Sequence, residues 1–349
     1  MAKKAVSSST TENKLRDSDI QKEFGRVISN GSELLNVKKD RKVISVSPAL
    51  DLALNGGILE GCWSLIAGDP KSGKSTTCLQ ICANAQAMGK PVIYIDVEGR
   101  LEAYNLNGIQ GLDLEKFTVI HSSHEEGESL SADDFLNIAC SLIKKPEYKG
   151  AVLVIDSCSD LLPRSEMDAD VSGSIRASLP KMLTHWVKKI SQDVTKNKIL
   201  VLVIQHYITN TSGYGKLKNP DGGVELQYKA STRMDIYKTE PWLEGDKKIG
   251  QIVHWKISCS SMGASGTECV SYIRFGKGID KEKEIIELAE AFSIIEKAGA
   301  WYSIPFLAGN GEFEEAPKFQ GQSKIYDFLV ERKDIFDQIK EKVNEMVNG

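Results

Sequence analysis

Long apolar runs are missing from this 349-residue sequence: its longest, Ala151 to Ile155 and Ile199 to Ile204, fall far short of the roughly 20 residues a bilayer crossing needs. That excludes a transmembrane helix. The opening residues, Lys3 and Lys4 followed by Ser7, Ser8, Ser9 and Thr10, lack the apolar stretch of a secretory signal, so a loose polar terminus and a cytoplasmic protein are expected. Cysteine is sparse and odd in number, seven without short pairs, which argues against a disulfide framework or a zinc ribbon. Cys78 and Cys82, a helical turn apart, read as small apolar core residues. The histidines, His121, His124, His185, His206 and His254, show no metal-ligand spacing, so no transition metal is expected. Charge of one sign is lacking too: 44 basic against 48 acidic side chains leave a net −4, with no long-range attraction for nucleic acid. Any DNA binding must come from local features.

What is present is an ordinary globular composition, 41% hydrophobic and 26% charged, at a length that suggests two or three domains. From Ser18 to about Leu35, Ile20, Phe24, Val27, Ile28 and Leu34 suit a short amphipathic helix, and the basic stretch Lys38 to Lys42 follows as a connector. Short β-branched runs then recur at Trp63 to Ala67, Pro91 to Val97, Ala151 to Asp156 and Ile199 to Gln205, and read as buried strands. Thr76 to Met88 and Leu179 to Val194 between them have helical spacing. Strand and helix in alternation predict an α/β fold with a mostly parallel central sheet. Ile252 to Ser258 and Cys269 to Phe275 alternate as further strands; Ile285 to Lys297 reads as a helix, and Ile325 to Val347 as one or two more. The expected organisation is a tail and small helical appendage over 1–40, a core over 41–280 and a small α-rich C-terminal domain over 281–349.

Gly68, Asp69, Pro70, Lys71, Ser72, Gly73, Lys74 and Ser75 spell GxxxxGKS between a predicted strand and a predicted helix that opens near Thr76. Glycines let consecutive backbone N–H groups curl round an anion, and the helix N-terminus adds partial positive charge. Lys74 suits the β and γ phosphates of a nucleoside triphosphate and the Ser75 hydroxyl a Mg²⁺ ion. A second carboxylate for the metal is offered by Asp156, at the end of an apolar strand, although a strand-closing Asp can equally be a turn former. Glu98, just past the strand that contains Asp96, is the candidate base that orients the attacking water; the alternative is a solvated strand-end charge.

Beyond this site the sequence resembles the RecA-type DNA strand-exchange ATPases, including their phage and plasmid versions. The resemblance is carried by Ile44 to Ser47 with Leu52 to Gly57, by Tyr94-Ile95-Asp96-Val97-Glu98, and by Val154-Ile155-Asp156-Ser157. Most specific are Gly222-Gly223 with Ala230 to Ile236, and Ile295-Glu296-Lys297-Ala298-Gly299-Ala300-Trp301-Tyr302-Ser303, which P-loop proteins at large do not share. The resemblance implies a P-loop RecA-like ATPase core that takes ATP and Mg²⁺: Gly68 to Thr76 on the phosphates, Glu98 activating water, Asp156 and Ser157 near metal and γ-phosphate, Gln205 sensing the γ-phosphate, and Tyr104 stacking on adenine. It further implies filaments on single-stranded DNA, pairing with a homologous duplex, and a loader or single-strand-binding protein as accessory partner. His206 to Gly223 corresponds to the family's second DNA-binding loop, and Tyr207, Tyr214, Lys216, Lys218, Gly222 and Gly223 suit single-strand contact. Ser165 to Gly173, with Met167, corresponds to the loop that inserts between bases; past it stand Arg176 and then Lys181, Thr184 and Lys188, the last three on one helical face.

Two departures qualify the resemblance. Bacterial members carry two lysines that reach the neighbouring subunit's ATP, where this sequence has Cys259 and Ser261. The sequence also reaches Gly349 soon after Lys340, Glu341 and Lys342 without a strongly acidic tail, so tail autoinhibition is not carried over. The interface positions keep a rival open: a nucleotide-binding regulatory paralogue that joins or caps another recombinase's filament. A ring-forming motor on the same core is disfavoured by Ile295 to Ser303.

Overall fold

The structure, a computed structural model, describes residues 41–123, 127–170, 178–209 and 218–348. The chain divides into Met1–Lys42 and Val43–Gly349, and all of the described strands and helices belong to the second unit. The expected helix from Ser18 to Leu35, and with it the 1–40 appendage, lies outside the described residues.

A small antiparallel pair, β1 (Val43–Ile44) and β2 (Ile58–Leu59), brackets helix α1 (Pro48–Leu54). There follow β3 (Trp63–Gly68), α2 (Lys74–Ala87), β4 (Val92–Asp96), α3 (Ala103–Asn107), β5 (Phe117–Ile120), α4 (Ala132–Leu142), β6 (Val152–Asp156), α5 (Arg164–Met167), α6 (Leu179–Lys196) and β7 (Leu200–Thr209). Then come β8 (Lys218–Pro220), α7 (Val224–Lys229), β9 (Thr232–Glu244), β10 (Lys247–Ser260), β11 (Glu268–Arg274) and β12 (Gly278–Ile279). Nine strands of the main sheet run in the order β12-β11-β10-β9-β3-β7-β6-β4-β5, and β8 pairs with β7. From β5 to β9 every neighbour is parallel, and from β9 to β12 every neighbour is antiparallel.

The central strands are apolar at nearly every position because both faces are covered. On one face Ile66, Tyr94, Val154, Leu202 and Ile204 pack with Cys78, Leu79 and Cys82 of α2. On the other, Trp63, Leu65, Ile155, Val201 and Val203 pack with Phe135 of α4 and with Leu183, Trp186, Val187 and Ile190 of α6. The alternation along β7 fixes which side chains look toward α2, and that becomes decisive at the strand's end.

A third core, with Ile285, Ile286, Tyr302, Ile304, Ile325, Leu329, Ile335 and Ile339, belongs to the C-terminal region. It joins α8 (Lys281–Ala291), α9 (Gln322–Glu331) and α10 (Lys333–Asn348) to a small sheet of β13 (Glu296–Ala298), β14 (Trp301–Ser303) and β15 (Lys318–Gln320). The helix expected over Ile285 to Lys297 therefore ends early. Ser293 takes a left-handed conformation at φ 57, and Ile294 and Ile295 both donate back to the Ala289 carbonyl, which turns Ile295 into the core and releases Glu296 to β13. Strand β9 is another element that apolar runs did not reveal; Thr232, Met234 and Ile236 on alternate positions are buried, and its distal half is largely exposed.

Candidate nucleotide and DNA site

Parallel strands all deliver their C-terminal ends to one edge of the sheet, and ligands of such sheets sit outside those ends. Here that edge brings together Gly68 of β3, Asp96 of β4, Asp156 of β6 and His206 of β7, although they are far apart in sequence.

The turn from β3 to α2 is built for close approach. Gly73 caps α2 at φ 104, and a Cβ there would lie 2.5 Å from Cδ1 of Ile273; one on Gly68 would lie 2.8 Å from Oγ of Ser72. The left-handed φ requires glycine at Gly73, and at Gly68 a Cβ would also press on Cβ of Ile236 at 3.0 Å. Lys74 is buried and folds back across the loop, its Nζ donating to the carbonyls of Gly68 (3.1 Å) and Asp69 (2.8 Å). Burial pushes the Lys74 ammonium's pKa down, opposed by the charges of Asp156 and Glu98. The buried hydroxyl of Ser72 has no hydrogen-bond partner among the described residues. A caged ammonium, an orphaned hydroxyl and a helix N-terminus whose cap supplies no side chain suit a phosphate chain, so these residues fit the triphosphate expected from sequence.

Ser75 and Asp156 line the same cleft, and the Ser75 hydroxyl is close enough to counter the rise in the Asp156 pKa, so the two expected Mg²⁺ contacts are neighbours. Tyr94 donates to the same carboxylate at 2.5 Å. Burial raises the Asp156 pKa, with the Tyr94 and Ser75 hydroxyls opposing the shift. A buried carboxylate flanked by hydroxyls is a natural seat for a hard dication, and Mg²⁺ fits. Next to it, the hydroxyl of Ser157 donates to Asp160.

Glu98 stands at the mouth of the cleft, its Oε1 3.2 Å from Nε2 of His206 and its Oε2 3.0 Å from the guanidinium of Arg100. The hydrogen bond from His206 is the main reason its pKa is held down to about 2, so the carboxylate is ionised across the working range. Asp96 shapes the intervening turn by accepting the N–H groups of Arg100 and Leu101. The cleft as a whole measures about 480 Å³ and is walled by the P-loop, Glu98, Asp156 and His206, with Tyr104, Ile273 and Phe275 on its outer side. Tyr104, 75% exposed, offers a free ring face there, as a base-stacking residue requires.

The structure sets Gln205 apart from the other expected site residues. On β7, Gln205 shares the face of Val201 and Val203, turned away from α2, and is wholly buried; its amide donates to the Asp221 carbonyl and its side chain lies where a Cβ on Gly222 would point. It is no wall of the cleft. The next residue, His206, shares the phase of Leu202 and Ile204 and so faces the nucleotide side. Its backbone ties it to both flanking loops: the N–H donates to Oγ of Ser159 at 3.0 Å, and the carbonyl accepts from Asp221 at 2.9 Å. Counting outward from Ile204 in the sequence would have found it.

The DNA-side residues are only partly gathered. Arg176, Tyr214 and Lys216 lie outside the described residues, as does the side chain of Lys218. Met167, half-buried, closes the short helix α5. Lys181 and Lys188 are exposed on α6, opposite the face that packs on the sheet, while Thr184 turns its hydroxyl to the Pro180 carbonyl. Tyr207 is half-buried, its hydroxyl 3.2 Å from Asp235. Gly222 and Gly223, at φ 93 and φ 89, turn the returning strand into α7. Cys259 sits near the end of β10 with its thiol against the carbonyls of Ala230 and Ser231, and Ser261 follows that strand.

Two family models match. The RecA N-terminal domain covers residues 13–280 and the RecA C-terminal domain covers residues 283–348. Curated relatives include Protein RecA of Thermotoga petrophila, 29% identical over 332 residues, or 93% of this chain and 88% of the relative. Protein RecA of Helicobacter hepaticus is 30% identical over 337 residues (95% and 91%), and that of Bacillus subtilis 29% over 335 (93% and 89%).

Proposed function

We propose, from the premise that this chain belongs to the RecA family, that it is a DNA-dependent ATPase that polymerises on single-stranded DNA and pairs that strand with a homologous duplex. The observation that carries the reading is the shared strand edge: Lys74, Ser75, Glu98 and Asp156 converge on one cleft, and β7, which supplies His206 to that cleft, runs straight on toward the second DNA loop.

The P-loop amides and Lys74 hold and neutralise the phosphates, and Mg²⁺ held by Ser75 and Asp156 would neutralise the negative charge that develops on the phosphate oxygens during transfer. Glu98, ionised and held at the cleft mouth, orients water and takes its proton. His206 touches Glu98 through its ring and Asp221 through its carbonyl, so it can pass the state of the cleft to the segment that returns through Gly222 and Gly223. Gln205 secures the far side of the same junction through Asp221. In this reading DNA is read by base pairing rather than by side chains, so binding is salt-dependent and largely indifferent to base order.

The test is ATP turnover with and without single-stranded DNA, in wild type and in Glu98→Gln. Stimulation by DNA in the wild type, with hydrolysis lost and ATP-dependent DNA binding kept in the variant, supports the reading; turnover that ignores DNA contradicts it. The regulatory-paralogue reading rests on Cys259 and Ser261, which place no ammonium at the interface positions, and it predicts negligible wild-type hydrolysis under the same conditions.

A further inference from the structure

We propose that Glu98, Asp160 and His206 form a site for one zinc-class transition-metal ion, separate from the Mg²⁺ seat at Ser75 and Asp156, and that its occupation arrests ATP turnover by tying up Glu98. Each of the three offers one ligand atom, and those atoms all lie within 4.8 Å of one another. Ligand atoms around a tetrahedral ion with bonds of roughly 2.0–2.2 Å stand about 3.5 Å apart. The pair formed by Nε2 of His206 and Oε1 of Glu98, at 3.2 Å, is already close to that spacing.

The groups behind these ligands point them inward, as outer-shell partners do in built metal sites. Arg100 occupies the other oxygen of Glu98, the Ser157 hydroxyl holds one oxygen of Asp160, and the His206 backbone is pinned by Ser159 and Asp221. One imidazole and two carboxylates leave a fourth position for water, the three-ligand count of open zinc sites. Imidazole also sets the preference: Mg²⁺ favours an all-oxygen shell, whereas zinc-class ions take nitrogen readily, so millimolar Mg²⁺ does not displace them. Sequence spacing gave no hint, because the ligands come from three segments, following β4, following β6 and within β7, that meet only through the strand order.

Metal binding stands on this geometry alone; its effect on turnover rests on the role given to Glu98 above. Co²⁺, whose visible absorption reports tetrahedral N/O coordination, is titrated into the full-length protein without nucleotide and in excess Mg²⁺. One Co²⁺ per chain is expected, displaced by Zn²⁺, with affinity falling about tenfold or more in both Asp160→Asn and His206→Gln. In the ATPase assay Zn²⁺ should inhibit the wild type at concentrations that leave Asp160→Asn at its own metal-free rate. A wild type without the Co²⁺ spectrum, or variants that bind Co²⁺ as tightly as wild type, overturns the site. Binding of Co²⁺ without inhibition by Zn²⁺ overturns the arrest. Turnover in Mg²⁺ alone judges the proposed function separately, since the Co²⁺ titration needs no hydrolysis.

Discussion

At the scale of single residues, the phosphate cradle was legible in the sequence because eight consecutive residues carry it and each has a geometric reason to be there. Gly73 takes a left-handed φ that glycine alone adopts freely, Gly68 lies tight against Ser72 and Ile236, and Lys74 spans the loop they form. What the sequence did not disclose was phase. Gln205 and His206 are adjacent polar residues at the end of an apolar strand, and only the packing of Val203 and Ile204 on opposite layers decides which looks into the cleft. Glu98→Gln, which removes the carboxylate that His206 holds, should lower hydrolysis by about 10²–10⁴ while leaving nucleotide affinity near wild type, as measured by steady-state turnover beside equilibrium ATP binding. His206→Ala should reduce the stimulation of turnover by DNA, whereas Gln205→Ala, which removes the amide held by Asp221, should act first on melting temperature; the reverse pattern would place the sensor at Gln205.

At the scale of elements, the most unusual contact joins α8 to the start of α1. Glu284, wholly buried, accepts the Ala49 N–H at 2.9 Å, and Asp51 accepts from Val46 nearby. Burial is the leading cause of both shifts, raising Glu284 to about 8 and Asp51 to about 6. A carboxyl whose folded pKa exceeds its unfolded one binds its proton more tightly in the native state, so its contribution is fullest at low pH and declines as pH rises toward the folded value. Stability should therefore fall between about pH 4 and pH 8. Glu284→Gln, which keeps an acceptor for Ala49 and cannot ionise, should melt above wild type at pH 8.5 and close to it at pH 5; equal slopes in melting temperature against pH would refute this. Neither acid announced itself in the sequence, because nothing in the local pattern around Asp51 or Glu284 signals burial. Helix lengths were similarly legible only where packing agreed with periodicity: α6 ends within two residues of its expected limit, while α8 stops at Ala291 because Ser293 turns the chain to bury Ile295.

At the scale of the whole molecule, a nearly neutral chain must bind DNA through local charge, and the described candidates are Lys181 and Lys188, exposed on α6. If they contact phosphates, alanine at each should weaken single-strand binding uniformly across sequences and reduce the salt slope by about one unit per lysine, as read from affinities over a salt series. The fold class and the mostly parallel sheet were legible because parallel strands need apolar residues on both faces, and that leaves unmistakable runs. The antiparallel extension was less so, since β9 and β10 expose much of their length. Central to all of this is a triphosphate at Lys74 that governs DNA binding. The direct measurement is the anisotropy of a labelled single strand titrated with the protein, with and without a slowly hydrolysed ATP analogue, in wild type and Lys74→Ala. The analogue is expected to tighten wild-type binding at least tenfold and to leave the variant unchanged; equal affinities with and without the analogue in the wild type would contradict that control by the nucleotide.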